Sequence, residues 1–139
     1  MKNINIGILA HVDAGKTTLT EQLLFCAGAI RQAGDVNTGT ARTDYLQVER
    51  ERGISVRSSA VSFSYGGTQI NIIDTPGHAD FAAEVERSLA VLDAAILIVS
   101  AVEGIQPRTE LLIDALIATK TAMMVVINKT DRQGSNVSR

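Results

Sequence analysis

The sequence predicts an α/β fold in which an open, mostly parallel sheet is covered by helices on both faces. Strand-like and helix-like segments alternate along most of the chain, and a single hairpin interrupts the alternation. Polar or glycine-containing motifs end three successive strands. Because ligands of open α/β sheets bind outside the carboxyl ends of the strands, these motifs predict one binding edge.

Composition restricts the class of protein. The 139 residues allow at most one domain, and an apolar content of 45% is ordinary for a globular fold. The apolar stretches 94–101 and 122–127 are too short to cross a bilayer, and a signal-peptide pattern is lacking, so a cytoplasmic location is expected. The single cysteine, Cys26, cannot form an internal disulfide and is expected to pack within a helix. A net charge of −2 predicts no general attraction for nucleic acid.

The first predicted strand, residues 3–9, leads into the segment 10–17, which reads Ala-His-Val-Asp-Ala-Gly-Lys-Thr. This segment matches the phosphate-binding pattern G-x-x-x-x-G-K-[ST], except that Ala10 replaces the first glycine. The replacement matters only if residue 10 needs a positive φ. After the segment, Leu19 and Leu23 are spaced as on one face of a helix. A strand before the segment and a helix after it disfavour the alternative of a chance Gly-Lys-Thr sequence.

The middle of the chain combines a polar segment with a hairpin. Residues 31–53 are rich in Gly and Thr and are expected to order around a ligand, with a solvated linker as the alternative. Alternation over 61–65, a Gly66-Gly67 turn and a return over 69–73 predict an antiparallel pair. The returning strand ends at Asp74, which is thereby placed near the phosphate site.

The later elements complete the alternation. A helix is predicted to start near Asp80, and a buried strand is predicted over residues 94–100. Pro107 suits the first turn of another helix, whose core positions include Leu112 and Leu116. The last predicted strand, 121–127, ends in Asn128-Lys129-Thr130-Asp131.

These motifs together supply what phosphoryl transfer requires. Lys16 is predicted to contact the outer phosphates, Thr17 and Asp74 to ligate magnesium, and His78 to orient water. The Asp131 carboxylate can accept two parallel hydrogen bonds from guanine, whereas adenine would leave it unpaired. The sequence therefore predicts magnesium-dependent GTP hydrolysis.

Residues 10–18, 52–54, 74–78 and 128–131 resemble the translational GTPases of the elongation factor G class. Residues 37–44 and 88–93 are more similar to the tetracycline-resistance ribosomal protection proteins than to elongation factor G itself. The resemblance implies a P-loop NTPase fold of the Ras-like G-domain type, with GTP or GDP and Mg²⁺ as ligands. It also implies a ribosome partner for the full-length parent, no membrane association and no sequence-specific binding of nucleic acid.

The resemblance also implies the individual site residues. The catalytic residues are His78 and Lys16, and the metal ligands are Thr17, Ser55 and Asp74. The residues that contact GTP are Ala10, His11, Val12, Asp13, Ala14, Gly15, Lys16, Thr17, Thr18, Asp74, Thr75, Pro76, Gly77, His78, Asn128, Lys129, Thr130 and Asp131. Residues 34–55 and 74–90 are implied to be the two switches, with Val12 and Ile54 forming an apolar gate. Ser55 stands where the family usually has Thr, which keeps the hydroxyl but loses a methyl group.

Family members continue beyond the motif 128–131 with another strand, a second base-contacting loop, a closing helix and further domains. We therefore expect residues 1–139 to be an amino-terminal fragment with an incomplete GTP-binding domain and an exposed apolar edge at 122–127. Two hypotheses follow. The chain is either a slow GTPase module, from a ribosomal protection protein, elongation factor G or another ribosomal GTPase, or a nucleotide-binding fragment without catalytic activity.

Overall fold

The computed structural model describes residues 2–29, 59–74 and 89–138, and in these ranges a single sheet has the strand order β2-β3-β1-β4-β5. The strands are β1 (Lys2–Ala10), β2 (Ser59–Tyr65), β3 (Thr68–Asp74), β4 (Ala94–Ser100) and β5 (Ala122–Asn128). β1 is parallel to both β3 and β4, and β4 is parallel to β5, whereas β2 and β3 are antiparallel. The predicted mostly parallel α/β fold is thereby confirmed.

The β2–β3 hairpin forms where the sequence predicted it. Gly66 and Gly67 have φ values of 55° and 74°, which matches the positive φ that a type I′ turn requires at both central positions. Across the two strands, the Ser62 hydroxyl donates a 2.7 Å hydrogen bond to the Asn71 side-chain carbonyl. The turn therefore fixes the register that places Asp74 opposite Ser59 at the far end of the hairpin.

Two helices follow strands in the described ranges, α1 (Lys16–Cys26) after β1 and α2 (Pro107–Ala118) after β4. Pro107 occupies the first turn of α2, as predicted. The prediction for Cys26 is wrong, because this side chain is exposed. The buried face of α1 passes instead through Thr20, Glu21 and Leu24, and Cys26 lies off that face at the end of the helix.

The apolar core lies on both faces of the sheet, because alternate residues of a strand point to opposite sides. On one face, buried Leu9 and Leu97 pack with Leu112 and Leu116 of α2. On the other face, Ile8 and Ile98 form a cluster that also includes Ala10, Ala14 and Ile72. Leu9 and Ile8 have no exposed surface, so β1 is enclosed from both sides.

β5 differs from the inner strands, because among the described strands it pairs only with β4. Met124 is 64% exposed and Val125 is 51% exposed. The expectation of an exposed apolar edge at 122–127 is therefore confirmed. None of the described helices is long and apolar enough to cross a membrane.

Several predicted features fall on residues outside the described ranges. These include the helix predicted to start near Asp80, the first switch at 34–55, and most of the second switch at 74–90.

Candidate functional site

The predicted motifs meet at the carboxyl edge of the sheet. β1 ends at Ala10, β3 at Asp74 and β5 at Asn128. All three strands run in the same direction, so their ends share one edge. The prediction that these motifs end three successive strands is wrong, because β2 precedes β3 and β4 precedes β5 along the chain. In the sheet, β4 lies between β1 and β5 and brings Ser100 to the same edge.

The loop after β1 takes its special backbone conformations at positions other than residue 10. Ala10 is the last residue of β1 and is 2% exposed, so an alanine is accommodated without strain. The left-handed conformations occur at Asp13, with φ 63°, and at Gly15, with φ 100°. His11 contributes its carbonyl group, which accepts a 3.2 Å hydrogen bond from the Ala14 amide. The loop thus turns sharply just before the helix begins.

Helix α1 starts from this loop in a way that suits an anion. Gly15 is its N-cap, and no side chain caps the helix. The first turn contains no acidic residue, so the positive end of the helix dipole is not neutralised there. Lys16 and Thr17 lie in this turn, and each is 7% exposed. The turn therefore presents a lysine and a hydroxyl group within a largely enclosed position.

Segments 10–17 and 128–131 are named the phosphate loop and the base loop after the ligands predicted for them, and the two loops are in direct contact. The Asn128 side-chain amide donates a 2.8 Å hydrogen bond to the Ala14 carbonyl. A Cβ atom at residue 15 would collide with this same amide nitrogen. Gly15 is therefore required for two reasons, its positive φ and the close approach of Asn128. The motif 10–17 and the motif 128–131 form one unit.

The base loop itself is folded by short-range hydrogen bonds. Lys129 has a φ of 60°, which turns the chain away from β5. The Lys129 carbonyl accepts from the Arg132 amide at 3.2 Å, and the Ser135 hydroxyl donates to the Thr130 carbonyl at 2.9 Å. Asp131 lies in the resulting turn and is exposed. Its carboxylate is therefore accessible to a ligand.

The sequence interpretation missed the loop that follows β4, which supports the base loop. The Ala101 amide donates to the Asn128 carbonyl at 2.8 Å, and the Ala101 carbonyl accepts from the Asn136 amide at 2.8 Å. Glu103 lies in the same loop, with its carboxylate 3.4 Å from the Lys129 ammonium group. The sequence did contain a signal for this loop, because the apolar run 94–100 ends in a serine. The carboxyl ends of parallel strands lie at the same edge of the sheet, so the residues after this run could have been expected there.

The electrostatics of this loop keep Glu103 ionised at neutral pH. A hydrogen bond from the Ser100 side chain lowers the pKa of Glu103, and the Lys129 ammonium adds to the lowering, while partial burial opposes both. The net effect is a pKa below the ordinary value of 4.5. The Ser100 hydroxyl also accepts hydrogen bonds from the amides of Val102 and Glu103, at 3.2 and 3.3 Å.

The remaining predicted site residues fall outside the described part of the structure. For Asp74 only the backbone is described, and Ser55, Thr75, Pro76, Gly77 and His78 lie beyond the described ranges. Among the described residues, no cluster of three His, Cys, Asp or Glu side chains could hold a metal ion. The roles of Ser55, Asp74 and His78 therefore stay predictions.

A left-handed glycine before an enclosed Lys-Thr pair, at the point where a strand leads into a helix, is typical of P-loop nucleotide-binding domains. Comparison with known families agrees with this geometry. The whole chain, residues 1–139, matches the family described as the elongation factor Tu GTP binding domain, and the chain belongs to that family.

Individual relatives support the subfamily resemblance. The chain is 53% identical over 138 residues to tetracycline resistance protein TetP of Clostridium perfringens, with 99% of this chain and 21% of the relative covered. It is 55% identical over 135 residues to TetM of Streptomyces lividans, with coverages of 97% and 21%. The chain therefore spans about a fifth of the length of the curated relatives it matches.

Solved structures give the same fold. A crystal structure of a protein from Thermus thermophilus matches with a TM-score of 0.88 at 34% identity, covering 95% of this chain and 20% of that chain. Translation elongation factor SelB from Methanococcus maripaludis, in complex with the GTP analogue GppNHp, matches with a TM-score of 0.69 at 29% identity. That match covers 96% of this chain and 24% of SelB. The resemblance drawn from the motifs is confirmed at the level of family and fold.

Proposed function

We propose that this chain binds GTP with Mg²⁺ and hydrolyses it slowly, as the nucleotide-binding part of a ribosome-associated protein of the tetracycline-resistance ribosomal protection type. The observation that carries the proposal is the 2.8 Å hydrogen bond from Asn128 to the Ala14 carbonyl. Because it joins the loop suited to phosphates to the loop suited to a base, one nucleotide can engage both. The identity of the relatives supports the ribosomal type.

The phosphates would be bound by the start of α1. Backbone amides of residues 13–18 would cradle them, and the Lys16 ammonium would neutralise charge on the outer two. The Thr17 hydroxyl is a hard oxygen donor, which suits Mg²⁺, and Ser55 and Asp74 would complete the protein ligands. Bound Mg²⁺ would neutralise charge on the outer phosphates. The apolar neighbour in the loop, Val12, would limit the access of water.

Hydrolysis would depend on His78, which we propose orients the attacking water with Ile54 and Val12 beside it. No arginine finger is evident in the sequence, so hydrolysis without a partner is expected at about 10⁻⁴ to 10⁻³ per second. Acceleration by the ribosome is proposed only for a full-length parent. A parent of the elongation factor G type is the alternative, and the sequence after residue 139 would distinguish the two parents.

Base recognition provides the experiment. The exposed Asp131 carboxylate would accept from the ring N–H and the exocyclic amine of guanine. Asp131→Asn replaces an acceptor with an amide donor, so GTP affinity should fall by roughly two orders of magnitude. Xanthine carries a carbonyl group where guanine has the amine, so the variant should prefer xanthosine triphosphate. Competitive binding of both nucleotides to wild type and variant measures the inversion.

A matched control separates base recognition from loss of charge. Asp114→Asn makes the same chemical change at an exposed position of α2 and should leave both affinities unchanged. A variant at Asp131 that loses both nucleotides alike would show that this residue only holds the loop together. Persistent preference for GTP would remove Asp131 from the base site. Failure of wild type to bind GTP in preference to ATP would overturn the proposed function.

The second candidate, nucleotide binding without hydrolysis, is favoured by the exposed edge of β5. Most side chains of β5 are exposed, which leaves this edge strand with little packing to stabilise it, and the base loop directly follows that strand. The two candidates differ in one measurement. Both predict that GTP with Mg²⁺ raises the melting temperature, but only the first predicts phosphate release in single-turnover conditions.

A further inference from the structure

Lys129 is a base-loop residue whose backbone conformation is unfavourable without support. Its backbone has a φ of 60°, a conformation that costs a residue other than glycine roughly 1 to 3 kcal/mol. Its side chain is 24% exposed and, like every lysine, has many rotamers that must be restricted when the loop becomes ordered. The strand that precedes it, β5, is largely exposed and offers little packing. Support must therefore come from elsewhere.

That support comes from the loop after β4, and it is polar. The Glu103 carboxylate lies 3.4 Å from the Lys129 ammonium. Glu103 is itself fixed on both sides, since its amide donates to the Ser100 hydroxyl and its carbonyl accepts from the Gln106 side chain at 2.6 Å. A further hydrogen bond, from the Gly104 amide to the Ser100 carbonyl at 2.8 Å, closes the turn. The carboxylate therefore extends from a loop whose backbone is held by several hydrogen bonds.

We propose that Glu103 is a positioning residue of the base site, which holds Lys129 and so restricts the loop 128–131 to its binding conformation before a nucleotide arrives. The inference rests on the proposed function, because it assigns Glu103 a role in recognising the guanine base. Restricting a loop in advance raises affinity by reducing the entropy lost on binding. Among the hydrogen bonds of the described residues, none joins Glu103 to the phosphate loop or to Asp131.

Glu103→Gln tests the proposal, because it removes the charge and keeps the shape. The affinity for GDP should fall about two- to fivefold, the size expected for a partly exposed ion pair. GTP should lose the same factor, since the pair acts on the base loop and not on the terminal phosphate. Asp114→Asn serves as the matched control and should leave both affinities unchanged.

A double-mutant cycle identifies the partner through which Glu103 acts. Lys129→Met keeps an unbranched apolar stem but removes the ammonium. In that background Glu103→Gln should have no further effect on GDP affinity. An equal loss in both backgrounds would mean that Glu103 only stabilises its own loop, and would overturn the proposal.

Salt dependence provides a second readout, which remains usable if Lys129→Met binds too weakly. Raising the salt concentration from about 0.05 M to about 1 M should bring the affinities of wild type and Glu103→Gln together, because ions screen an exposed pair. A ratio that stays constant with salt would also overturn the proposal. If wild type binds guanine nucleotides and Glu103→Gln binds them equally well, only this inference fails. If wild type binds none, the proposed function fails.

Discussion

The two loops of the site are fixed by different kinds of interaction. The phosphate loop lies between β1 and α1, where Ile8, Leu9 and Leu24 have no exposed surface. The base loop follows β5, where Met124 and Val125 are more than half exposed. It depends instead on hydrogen bonds and one ion pair, contributed by the loop after β4 and by Ala14. Packing fixes one half of the site, and polar contacts fix the other.

The largest expected effect is on the free energy of unfolding. It comes from a direct comparison of the packing of β4 with that of β5. Leu97 of β4 and Val125 of β5 are neighbours in register, but Leu97 is fully buried. Leu97→Ala should lower the free energy of unfolding by about 2 to 5 kcal/mol. Val125→Ala should cost less than about 1 kcal/mol, since it leaves no enclosed cavity. Urea unfolding measures both, and similar losses would mean that β5 is covered in solution.

The next effect concerns the contact between the two loops. Gly15→Ala forces a side chain into the left-handed region and against Asn128, so nucleotide affinity should fall by roughly 2 to 4 kcal/mol. Gly28→Ala is the control, since Gly28 also has a positive φ, 72°, but no atom of the described residues lies within 4 Å of where its side chain would start. Calorimetric titration with GDP measures the difference. Equal affinities in the two variants would show that the approach of Asn128 is unimportant for binding.

Removing the bridging amide should have an intermediate effect. Asn128→Ala leaves the carbonyl of the buried Ala14 without this donor, which should cost about 1 to 3 kcal/mol in stability. Asn136→Ala is the matched control, because its side-chain carbonyl accepts from the nearby Ser138 amide, a contact within the same exposed segment. That change should cost less than about 0.5 kcal/mol. If thermal unfolding shows no difference between the variants, the two loops are not energetically coupled.

The smallest expected effect is a pH dependence. Because the pKa of Glu103 is lower in the folded state, its contribution to stability is present above the unfolded-state value of 4.5. The contribution is lost as the pH falls through the folded-state value, which lies below 4.5. Wild type should therefore exceed Glu103→Gln by at most about 0.5 kcal/mol at pH 7, after allowance for solvent screening. Unfolding measured at a series of pH values below about 4.5 should show the difference shrink as the pH falls, and a difference that grows in acid would contradict the assignment.

Much of the fold could be predicted because the signals were local. The type I′ hairpin needs glycines at fixed positions, and Gly66-Gly67 supplies them. The buried strand 94–100 was predicted with the bounds that the structure has, since a continuous apolar run between turn residues leaves few alternatives. Cys26 was predicted wrongly because helical spacing does not say which of several overlapping faces meets the sheet.

The site was only partly predictable, for a physical reason. The residues of a motif such as 10–17 are consecutive in sequence, so the ligand chemistry that they predict can be recognised from the sequence alone. The support of the base loop joins residues that are far apart in sequence, such as Glu103 with Lys129 and Asn128 with Ala14. Neither pair follows from spacing, because each depends on the order of the strands in the sheet. The roles of Asp74, Ser55 and His78 stay predictions.

The hairpin turn at Gly66-Gly67 has a practical consequence for measuring this protein. The turn adjoins the first residue of β3, whereas Asp74 is the last residue of that strand. The turn is therefore away from the edge where the motifs meet. In the part of the chain that the structure describes, no atom lies within 4 Å of where a side chain would start at either glycine. A biotin attached at this end of the hairpin, without a change in the length of the turn, should immobilise the chain on a sensor surface with the edge where the motifs meet facing the solution.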